Sequence, residues 1–308
     1  MALGKMQDNV AFANRLFTEG HSFSIIMKKE VEAMYSRVYV EITNICNMDC
    51  SFCHGHSRPP RQMTEAEYGR VLSQLAGKTR YLYHHLMGEP LVHPLLPRFV
   101  EMASQQGFRP MLTTNGTLLD RMGDSILLPG LHKVNISLHS FEGEEKAAHE
   151  AYIQKVAAFA EKANEQGIII SLRLWNKDCD EGRNETAVTA LQKHLPGDWT
   201  ENPRGYRIRD KLFLEWGDRF RWPDKDDPVQ EEQVLCYGMR DHFGILCDGS
   251  VVPCCMDSEG VITLGNVFRQ ELSQILGSSR AQAVAEGFAR REAMEDLCRR
   301  CAYARRFL

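Results

Sequence analysis

The sequence predicts an α/β protein in which short parallel strands alternate with helices. Three observations lead to this fold class. β-rich runs recur over roughly the first two thirds of the 308-residue chain, most are followed by a run of helical period, and Gly, Pro or Asn-Gly mark the changes. Strands separated by helices pair in parallel through right-handed crossovers, so the elements form an α/β sheet or barrel. In either arrangement the functional residues lie at the carboxyl ends of the strands.

The elements of this alternating region follow one another in a regular order. The predicted strands are Val38 to Thr43, Arg80 to Leu86, Pro110 to Thr113, Val134 to Leu138 and Ile168 to Leu174. The predicted helices are Thr64 to Leu75, Pro94 to Gln106 and a long one from about Gly143 to Gln166. Thr64 and Glu67 have capping-box spacing at the start of the first helix, and Gly107 ends the second. Asn115-Gly116 is a turn pair that closes the third strand.

The amino-acid composition changes after the alternating region. Pro and Gly recur through residues 196–228, so this stretch is predicted to be a connector without regular elements. Beyond it, Phe243 to Leu246 and Ser250 to Pro253 flank Asp248-Gly249, a strong hairpin signal, and helices are expected from Glu271 and from Ala281. The chain therefore divides into an N-terminal helical segment (1–35), an α/β core (36–195), the connector (196–230) and a small C-terminal domain (231–308).

Composition and charge exclude several classes of protein. With 37 Lys and Arg against 41 Asp and Glu, the formal net charge of −4 argues against a nucleic-acid-binding surface. No apolar run approaches the roughly 18 residues of a membrane span, and the N-terminus lacks a secretory pattern, so we expect a cytoplasmic protein without membrane contact. Ten cysteines are then conspicuous, because regularly spaced cysteines in a reducing compartment bind metal more often than they form disulfides.

Three of these cysteines lie on one short loop directly after the first predicted strand. Cys46, Cys50 and Cys53 are separated by three and then two residues. A closed structural zinc site or a ferredoxin-type four-iron cluster takes four protein ligands, whereas three thiolates on a [4Fe-4S] cluster leave one iron open to an exogenous ligand. The alternative is a zinc loop completed by His54 or His56.

This Cys-x3-Cys-x2-Cys loop resembles that of the radical S-adenosylmethionine (SAM) superfamily. The resemblance implies a partial (β/α)6 TIM-like barrel in which Cys46, Cys50 and Cys53 hold a [4Fe-4S] cluster and SAM chelates the open iron. It also implies reductive cleavage of SAM to a 5′-deoxyadenosyl radical, which removes a hydrogen atom from an unactivated carbon of the substrate. A flavodoxin- or ferredoxin-type reductant would supply the electron.

Further residues at strand ends match positions that contact SAM in this family. Met87-Gly88-Glu89-Pro90 is similar to the family's Gly-Gly-Glu-Pro segment, which holds the amino group, although Met87 replaces the first glycine. The contacts that the resemblance implies are Phe52 at the adenine, Gly88 and Glu89 at the amino group, and Asn115, Ser137 and Arg173 at the ribose or carboxylate. Most of these residues also have an ordinary alternative as a strand ending, a turn pair or, at Ser137, a helix cap.

The surroundings of Arg173 can be argued from the strand pattern itself. Arg173 alternates with Leu172 and Leu174, so it faces away from the helices and, in a barrel, into the lumen. An unpaired cation is costly there, which favours an anionic partner such as a carboxylate.

The C-terminal region contains a second set of cysteines. Cys236 is followed by twelve residues and Gly249, then by four residues and Cys254, and Cys298 and Cys301 form a Cys-x2-Cys pair. This pattern resembles the SPASM/twitch extension of radical SAM enzymes. Four cysteines match its shorter twitch form, which implies one auxiliary [4Fe-4S] cluster with a role in electron transfer. A structural zinc site is the alternative.

Three cysteines remain outside both sets. Cys255 adjoins Cys254 and points to the opposite side of an extended strand, which favours a packing role. Cys247 would replace Cys254 if the hairpin had another register. Cys179 has no evident partner.

A dehydrogenation also needs a base that takes a hydroxyl or amine proton once a carbon radical has formed. Histidine titrates near neutral pH and is suited to this role. The candidates are His85 and His139, with His54, His56 and His84 as alternatives. These histidines and Arg58 could all face the barrel mouth. His84 and His85 cannot both face the lumen, because neighbouring strand residues alternate.

Three functions are compatible with these features. The first is a dehydrogenase-like oxidation of a small molecule, as in radical SAM twitch enzymes that oxidise a secondary alcohol on a small ring. The second is modification of a peptide by oxidation, cross-linking or epimerisation, and the third is metal binding or electron transfer without radical chemistry. Glu89 and Arg173 favour an enzyme, because a carrier does not need groups matched to the two ends of an amino acid. We therefore expect a radical SAM oxidoreductase.

Overall fold

A sheet of eleven strands organises the fold. The computed structural model describes residues 35–141, 145–177, 179–180, 182–229 and 233–307. The predicted N-terminal helical segment (1–35) lies outside these ranges, apart from Tyr35. The strands are β1 (Arg37–Val40), β2 (Tyr81–Tyr83), β3 (Arg109–Thr114), β4 (Lys133–Ser137), β5 (Ile169–Lys177), β6 (Thr200–Asn202), β7 (Gly205–Arg209), β8 (Leu212–Asp218), β9 (His242–Ile245), β10 (Ser250–Val252) and β11 (Gly265–Asn266). Their order across the sheet is β11-β10-β9-β1-β2-β3-β4-β5-β8-β7-β6.

Helices connect the strands of the core and complete the C-terminal region. The described residues contain α1 (Glu65–Leu75), α2 (Leu96–Gln105), α3 (Leu119–Ile126), α4 (Lys146–Glu165), α5 (Arg183–His194), α6 (Leu272–Leu276), α7 (Ser279–Ala289) and α8 (Asp296–Arg299). Short 3-10 helices cover residues 90–92, 138–140 and 302–307. No helix in the described part of the chain combines the length and the apolarity that crossing a bilayer requires.

Six strands form the predicted partial barrel. β1, β2, β3, β4, β5 and β8 are neighbours and pair in parallel. One of the helices α1 to α5 lies between each strand and the next, as parallel crossovers require. The sheet ends at β6 and β11 and does not close on itself. The predicted fold class is confirmed, and the five predicted core strands and three predicted core helices are all present with boundaries shifted by a few residues.

The prediction of an irregular connector over residues 196–230 is wrong for its first part. β6, β7 and β8 occupy most of residues 200–218, and β8 is the sixth strand of the barrel. Gly205 has a φ of +139°, and a Cβ there would lie 2.1 Å from the carbonyl oxygen of Leu214. This glycine therefore allows the close pairing of β7 with β8 and does not interrupt it.

Apolar side chains point from the strands to the helices, and polar ones point to the inner face of the barrel. Val38 of β1 is fully buried, whereas its neighbour Tyr39 contacts the ring of Tyr83 on β2. In the helix layer, Tyr68 of α1 stacks on Phe99 of α2 with ring centroids 4.2 Å apart. Truncating a buried aromatic residue to Ala costs about 3–5 kcal/mol, so this layer supplies stability while the inner face is left for polar groups.

The C-terminal region joins the barrel through its first strand. β9 pairs in parallel with β1 over four residues, from Arg37 with His242 to Val40 with Ile245. β10 returns antiparallel to β9 and forms the predicted hairpin, in which Gly249 has a φ of +87°. The hairpin therefore lies beside the strand that leads to Cys46.

Candidate active site

The three-cysteine loop is fixed at its root by the backbone that leaves β1. Asn44, two residues before Cys46, donates its side-chain amide to Pro59 O at 2.9 Å and accepts the Arg61 N–H at 2.7 Å. Cys46 and Cys53 are exposed, and Cys50 is partly buried with its sulfur 3.6 Å from the carbonyl oxygen of Ser140. The loop therefore presents three accessible soft donors on an anchored base.

Gly88 packs directly on the backbone that precedes the loop. Its φ is +74°, and a Cβ there would lie 2.5 Å from Thr43 O and 2.9 Å from Ile45 O. The next residue, Glu89, donates its N–H to Ile45 O at 2.9 Å. Only glycine fits this approach, so the segment after β2 and the root of the cysteine loop form one unit.

The Glu89 carboxylate connects the ends of two strands. One oxygen accepts the Leu91 N–H at 2.9 Å and the other accepts the Asn115 N–H at 2.7 Å. Glu89 is buried, and burial raises its pKa to about 7 although the N–H bonds oppose the shift. The Thr114 side chain also makes a hydrogen bond to this carboxylate. The two oxygens can together accept about four hydrogen bonds, so the group retains capacity for a cationic ligand.

Asn115 ties the end of β3 to the cysteine loop. Its side-chain amide donates to Asn47 Oδ1 at 3.0 Å, and Asn47 donates to Thr117 Oγ1 at 2.9 Å. Tyr152 of α4 donates to the Asn115 carbonyl at 2.7 Å. Asn47 was not identified from the sequence, because contacts between two loops separated by 68 residues leave no local pattern.

Ser137 and Arg173 are partners in the β4–β5 register. No side chain caps the 3-10 helix that follows Ser137, so the helix-cap alternative does not describe this serine. The Arg173 guanidinium lies over the Trp175 ring at 4.4 Å, and its Nε is 3.8 Å from Glu215 Oε2. Burial lowers the pKa of Arg173, and the Glu215 carboxylate partly opposes this. The Nε is buried and has no hydrogen-bond partner among the described residues.

Glu215 is thus an anionic neighbour of Arg173 supplied by the chain itself. It lies on β8 and also accepts the Ser171 hydroxyl at 2.6 Å. It was not predicted, because residues 196–230 were expected to be irregular. The short apolar run from Leu212 to Leu214 was the available signal for a strand.

His85 lies on the inner face between two tyrosines. Its ring centroid is 5.6 Å from that of Tyr39 and 5.7 Å from that of Tyr83. The Nδ1 atom is buried and has no hydrogen-bond partner within the described residues. Burial, with help from the Arg173 charge, lowers the pKa of His85 to about 3, so the imidazole is neutral at pH 7. His84 faces the opposite way and contacts the Tyr68 hydroxyl, in line with strand alternation.

His139 lies with Phe52 at a separate cavity. The two rings are 4.9 Å apart, and the His139 Nδ1 is 3.1 Å from Arg173 O and 3.3 Å from the Trp175 N–H nitrogen. Both rings line a cavity of about 330 Å³, to which Asn176 and Arg219 also contribute. This volume is in the range of small-molecule sites.

The polar residues between the cysteine loop and α1 contact other parts of the chain. His56 Nε2 is 2.8 Å from Asn44 O, and His54 Nε2 is 3.9 Å from Asp224 Oδ2. Arg58 pairs with the buried Glu41. Among the described residues, no three His, Cys, Asp or Glu side chains converge closely enough to hold a single metal ion. The structure therefore does not bring either histidine to the thiols as a zinc loop requires.

Four cysteines of the C-terminal region line one apolar cavity. Cys236, Cys254, Cys298 and Cys301 share it with apolar neighbours that include Met256, Ile262, Phe288 and Leu297. Burial raises the pKa of Cys254 well above its usual value, and the neighbouring thiols, Cys255 among them, raise it further through their negative charge when ionised. Four soft donors that repel one another as thiolates suit a cationic iron–sulfur centre.

The remaining cysteines lie elsewhere. Cys247 is buried beside the Glu41–Arg58 pair, with its sulfur 3.9 Å from Arg58 Nη1. Cys255 forms a side-chain hydrogen bond with Tyr39. Cys179 is exposed and lines the cavity that contains Phe52. All ten cysteines lie in the described residues, and none forms a disulfide.

Two family models match the chain. The model of the radical SAM superfamily matches residues 40–176, which include the three-cysteine loop, β2 to β4 and all but the last residue of β5. The model of an iron–sulfur cluster-binding domain, SPASM, matches residues 236–302, which include the four cysteines of the apolar cavity.

Relatives with curated names match part of the core. A GTP 3′,8-cyclase of Chlorobaculum tepidum is 34% identical over 112 residues, which are 35% of this chain and 34% of that protein. A probable GTP 3′,8-cyclase of Methanococcus vannielii is 29% identical over 142 residues, 44% of this chain and 48% of that protein. The matched region spans about a third to a half of the length of these relatives.

Solved structures match most of the fold. BtrN in complex with AdoMet and 2-DOIA superimposes with a TM-score of 0.56 at 17% identity, covering 87% of this chain and 93% of BtrN. The chain anSMEcpe with bound AdoMet gives a TM-score of 0.58 at 13% identity, with 81% and 79% covered. SuiB of Streptococcus suis bound to S-adenosylmethionine gives 0.57 at 15% identity, with 82% and 68% covered. At these identities the likeness concerns the fold.

Proposed function

Since the chain belongs to the radical SAM superfamily and carries a C-terminal SPASM domain, we propose that it is an oxidoreductase that uses radical chemistry to dehydrogenate a small molecule. When bound, SAM and a [4Fe-4S] cluster supply a 5′-deoxyadenosyl radical, which abstracts a hydrogen atom from an unactivated carbon. A second [4Fe-4S] cluster supplies a one-electron acceptor. The remaining tasks are binding, orientation and proton transfer, and these fall to the side chains of the chain.

The observation that carries this proposal is the packing of Gly88 and Glu89 on the root of the cysteine loop. Cys46, Cys50 and Cys53 would hold the first cluster. A Cβ added at Gly88 would lie only 2.5 Å from Thr43 O, so the segment after β2 packs tightly against the root of the cysteine loop. A group that binds both the open iron and this segment needs such a fixed relation, because misplacement by about 1 Å costs about a hundredfold in rate.

The SAM contacts we propose surround the loop. Glu89 would hold the amino group. Arg173, whose buried Nε has no hydrogen-bond partner in the described part of the chain, would bind the carboxylate through charge-assisted hydrogen bonds. Phe52 would contact the adenine at the cavity that it shares with His139. Asn115 and Ser137 would complete the set at the ribose or carboxylate.

His85 is the base we propose for the substrate proton. Its neutral imidazole lies on the inner face of the barrel, and its buried Nδ1 has no hydrogen-bond partner among the described residues. His139 is better suited to positioning, since its Nδ1 contacts the backbone of Arg173 and Trp175. In the oxidation, the substrate carbon radical would lose its electron to the C-terminal centre while its hydroxyl or amine proton moves to His85 Nδ1.

The C-terminal centre we propose is held by Cys236, Cys254, Cys298 and Cys301. They share one apolar cavity, while Cys247 and Cys255 contact Arg58 and Tyr39 instead. Four protein ligands leave no open iron, which suits electron transfer. A flavodoxin- or ferredoxin-type protein would supply the electron for SAM cleavage, in a reducing cytoplasm that keeps the ten cysteines as thiols.

SAM cleavage tests the proposal without knowledge of the substrate. Anaerobically reconstituted protein, incubated with SAM and dithionite, should release 5′-deoxyadenosine. The Cys46→Ala variant should release none, whereas Cys298→Ala should retain most of the release because it removes only a ligand of the C-terminal centre. Equal release from wild type and Cys46→Ala would rule out the catalytic loop, and conversion of a peptide but no small molecule would favour the peptide-modifying alternative.

A further inference from the structure

Residues 56–61, here called the bridging segment, follow the three-cysteine loop and run back along the end of β1. Pro59 O accepts the Asn44 side-chain amide at 2.9 Å, and Arg61 N–H donates to Asn44 Oδ1 at 2.7 Å. Arg61 O accepts the Thr43 hydroxyl at 3.2 Å. One side of the bridging segment is therefore bonded to the residues that support Cys46.

The other side of the bridging segment is bonded to the C-terminal domain. Arg58 Nε donates to Ser258 O at 2.8 Å, and Arg61 Nε donates to Cys247 O at 2.8 Å. The Ser57 N–H and hydroxyl donate to the two carboxylate oxygens of Glu259 at 2.6 and 2.9 Å. Ser258 and Glu259 follow Cys254 within five residues, so this segment directly links the two sets of cysteines.

A buried carboxylate lies at the centre of this link. Glu41 has no exposed surface, and both its oxygens accept from the Arg58 guanidinium at 2.7 Å. It also accepts the Met87 N–H at 3.1 Å and the Cys247 N–H at 3.2 Å. Glu41 thus contacts the bridging segment, the residue before Gly88 and the C-terminal hairpin at one point.

The geometry of this pair requires arginine. One guanidinium holds a buried carboxylate through two parallel hydrogen bonds and reaches Ser258 O with its remaining Nε–H, so Arg58 spans the core and the C-terminal domain. A lysine ammonium conserves the charge but lacks this planar fork. Removing one partner of a buried pair also leaves the other charge uncompensated.

We propose that Glu41 and Arg58 are positioning residues that fix the three-cysteine loop, the Met87-Gly88-Glu89 segment and the C-terminal cysteine cavity in a single arrangement. This inference rests on the proposed function, since it assigns the pair a role toward both clusters. The pair sets the separation and orientation of the clusters and holds the backbone that binds the SAM amino group.

The test compares Arg58→Lys and Glu41→Gln with Arg98→Lys. Arg98 of α2 is a matched control, because it pairs at the exposed surface with Glu65 of α1 at 2.9 Å and with Glu101 of α2 at 2.7 Å. Iron content, SAM affinity and the magnetic interaction between the two reduced clusters are measured in the reconstituted proteins. We expect both test variants to keep about eight irons per chain, to bind SAM about tenfold more weakly and to show an altered cluster–cluster interaction in the electron paramagnetic resonance (EPR) spectrum. Arg98→Lys should match wild type.

Unchanged SAM affinity and an unchanged cluster–cluster interaction in both test variants would overturn the proposal. If the variants fail to hold both clusters, Glu259→Gln decides the question, because it weakens the two exposed hydrogen bonds from Ser57 and leaves Glu41 and Arg58 in place. A smaller shift in the same direction supports the proposal, and no shift overturns it. A wild-type protein without a second cluster or a SAM-induced spectral change would instead contradict the proposed function, and this inference would fall with it.

Discussion

Gly88 shows how a single residue fixes the relation between two functional segments. Its carbonyl neighbours Thr43 O and Ile45 O occupy the space that a side chain would need, at 2.5 and 2.9 Å from an added Cβ. The sequence placed Gly88 in a motif, and the structure gives the physical reason for the glycine. The neighbouring Met87 is buried and donates its N–H to Glu41.

Gly88→Ala should therefore displace the root of the cysteine loop. We expect iron to fall from about eight to about four per chain, with loss of SAM cleavage and retention of the C-terminal centre. Gly77→Ala is the matched control, because Gly77 has a similar φ of +78° but nothing within 4 Å of an added Cβ. Iron analysis and release of 5′-deoxyadenosine measure the outcome. A Gly88→Ala protein with full iron content would disprove the packing argument.

At the scale of elements, the sequence predicted those strands and helices that depend on a local pattern of residues. The strands, α1 and its Thr64–Glu67 cap follow from periodicity and spacing over a few residues, and the capping box is present as predicted. β8 was not predicted, because glycines such as Gly205 and Gly217 commonly interrupt a strand. Here each allows the chain to pack closely, against Leu214 O and the Trp175 ring respectively.

The contact between α1 and β2 gives a pH-dependent prediction. His84, directly after β2, is buried against Tyr68 of α1, and burial lowers its pKa to about 4 from the usual 6.5. The unfolded chain then binds a proton that the folded state excludes between these values. The contribution of His84 to the free energy of unfolding is therefore complete above pH 6.5. It decreases by about 3 kcal/mol as the pH falls toward 4.

Denaturant unfolding of the iron-free protein at several pH values measures this effect. In His84→Gln, the slope of the free energy of unfolding against pH should decrease by the contribution of about one bound proton between pH 6.5 and 4. Tyr68→Phe is the control, because it leaves the imidazole buried and should keep the slope. If the slopes of wild type and His84→Gln coincided, His84 would not be the group that is held neutral.

At the scale of the whole molecule, β1 is shared by both functional regions. It leads into the three-cysteine loop and pairs with β9 of the C-terminal hairpin. Cysteine spacing allowed both sets of cysteines to be identified from the sequence, because each spacing is local. The contacts that join the regions were not predictable, since the Glu41 carboxylate meets Arg58, Met87 and Cys247 over separations of 17, 46 and 206 residues.

The proposed chemistry requires a cluster that Cys46, Cys50 and Cys53 would hold and that SAM would complete. The most direct test is the EPR spectrum of the dithionite-reduced Cys298→Ala/Cys301→Ala double variant, in which only the first cluster should remain. We predict the signal of a single reduced [4Fe-4S] cluster whose g-values shift when SAM is added. A spectrum that SAM leaves unchanged, or a protein that holds zinc in place of iron at this loop, would contradict the account.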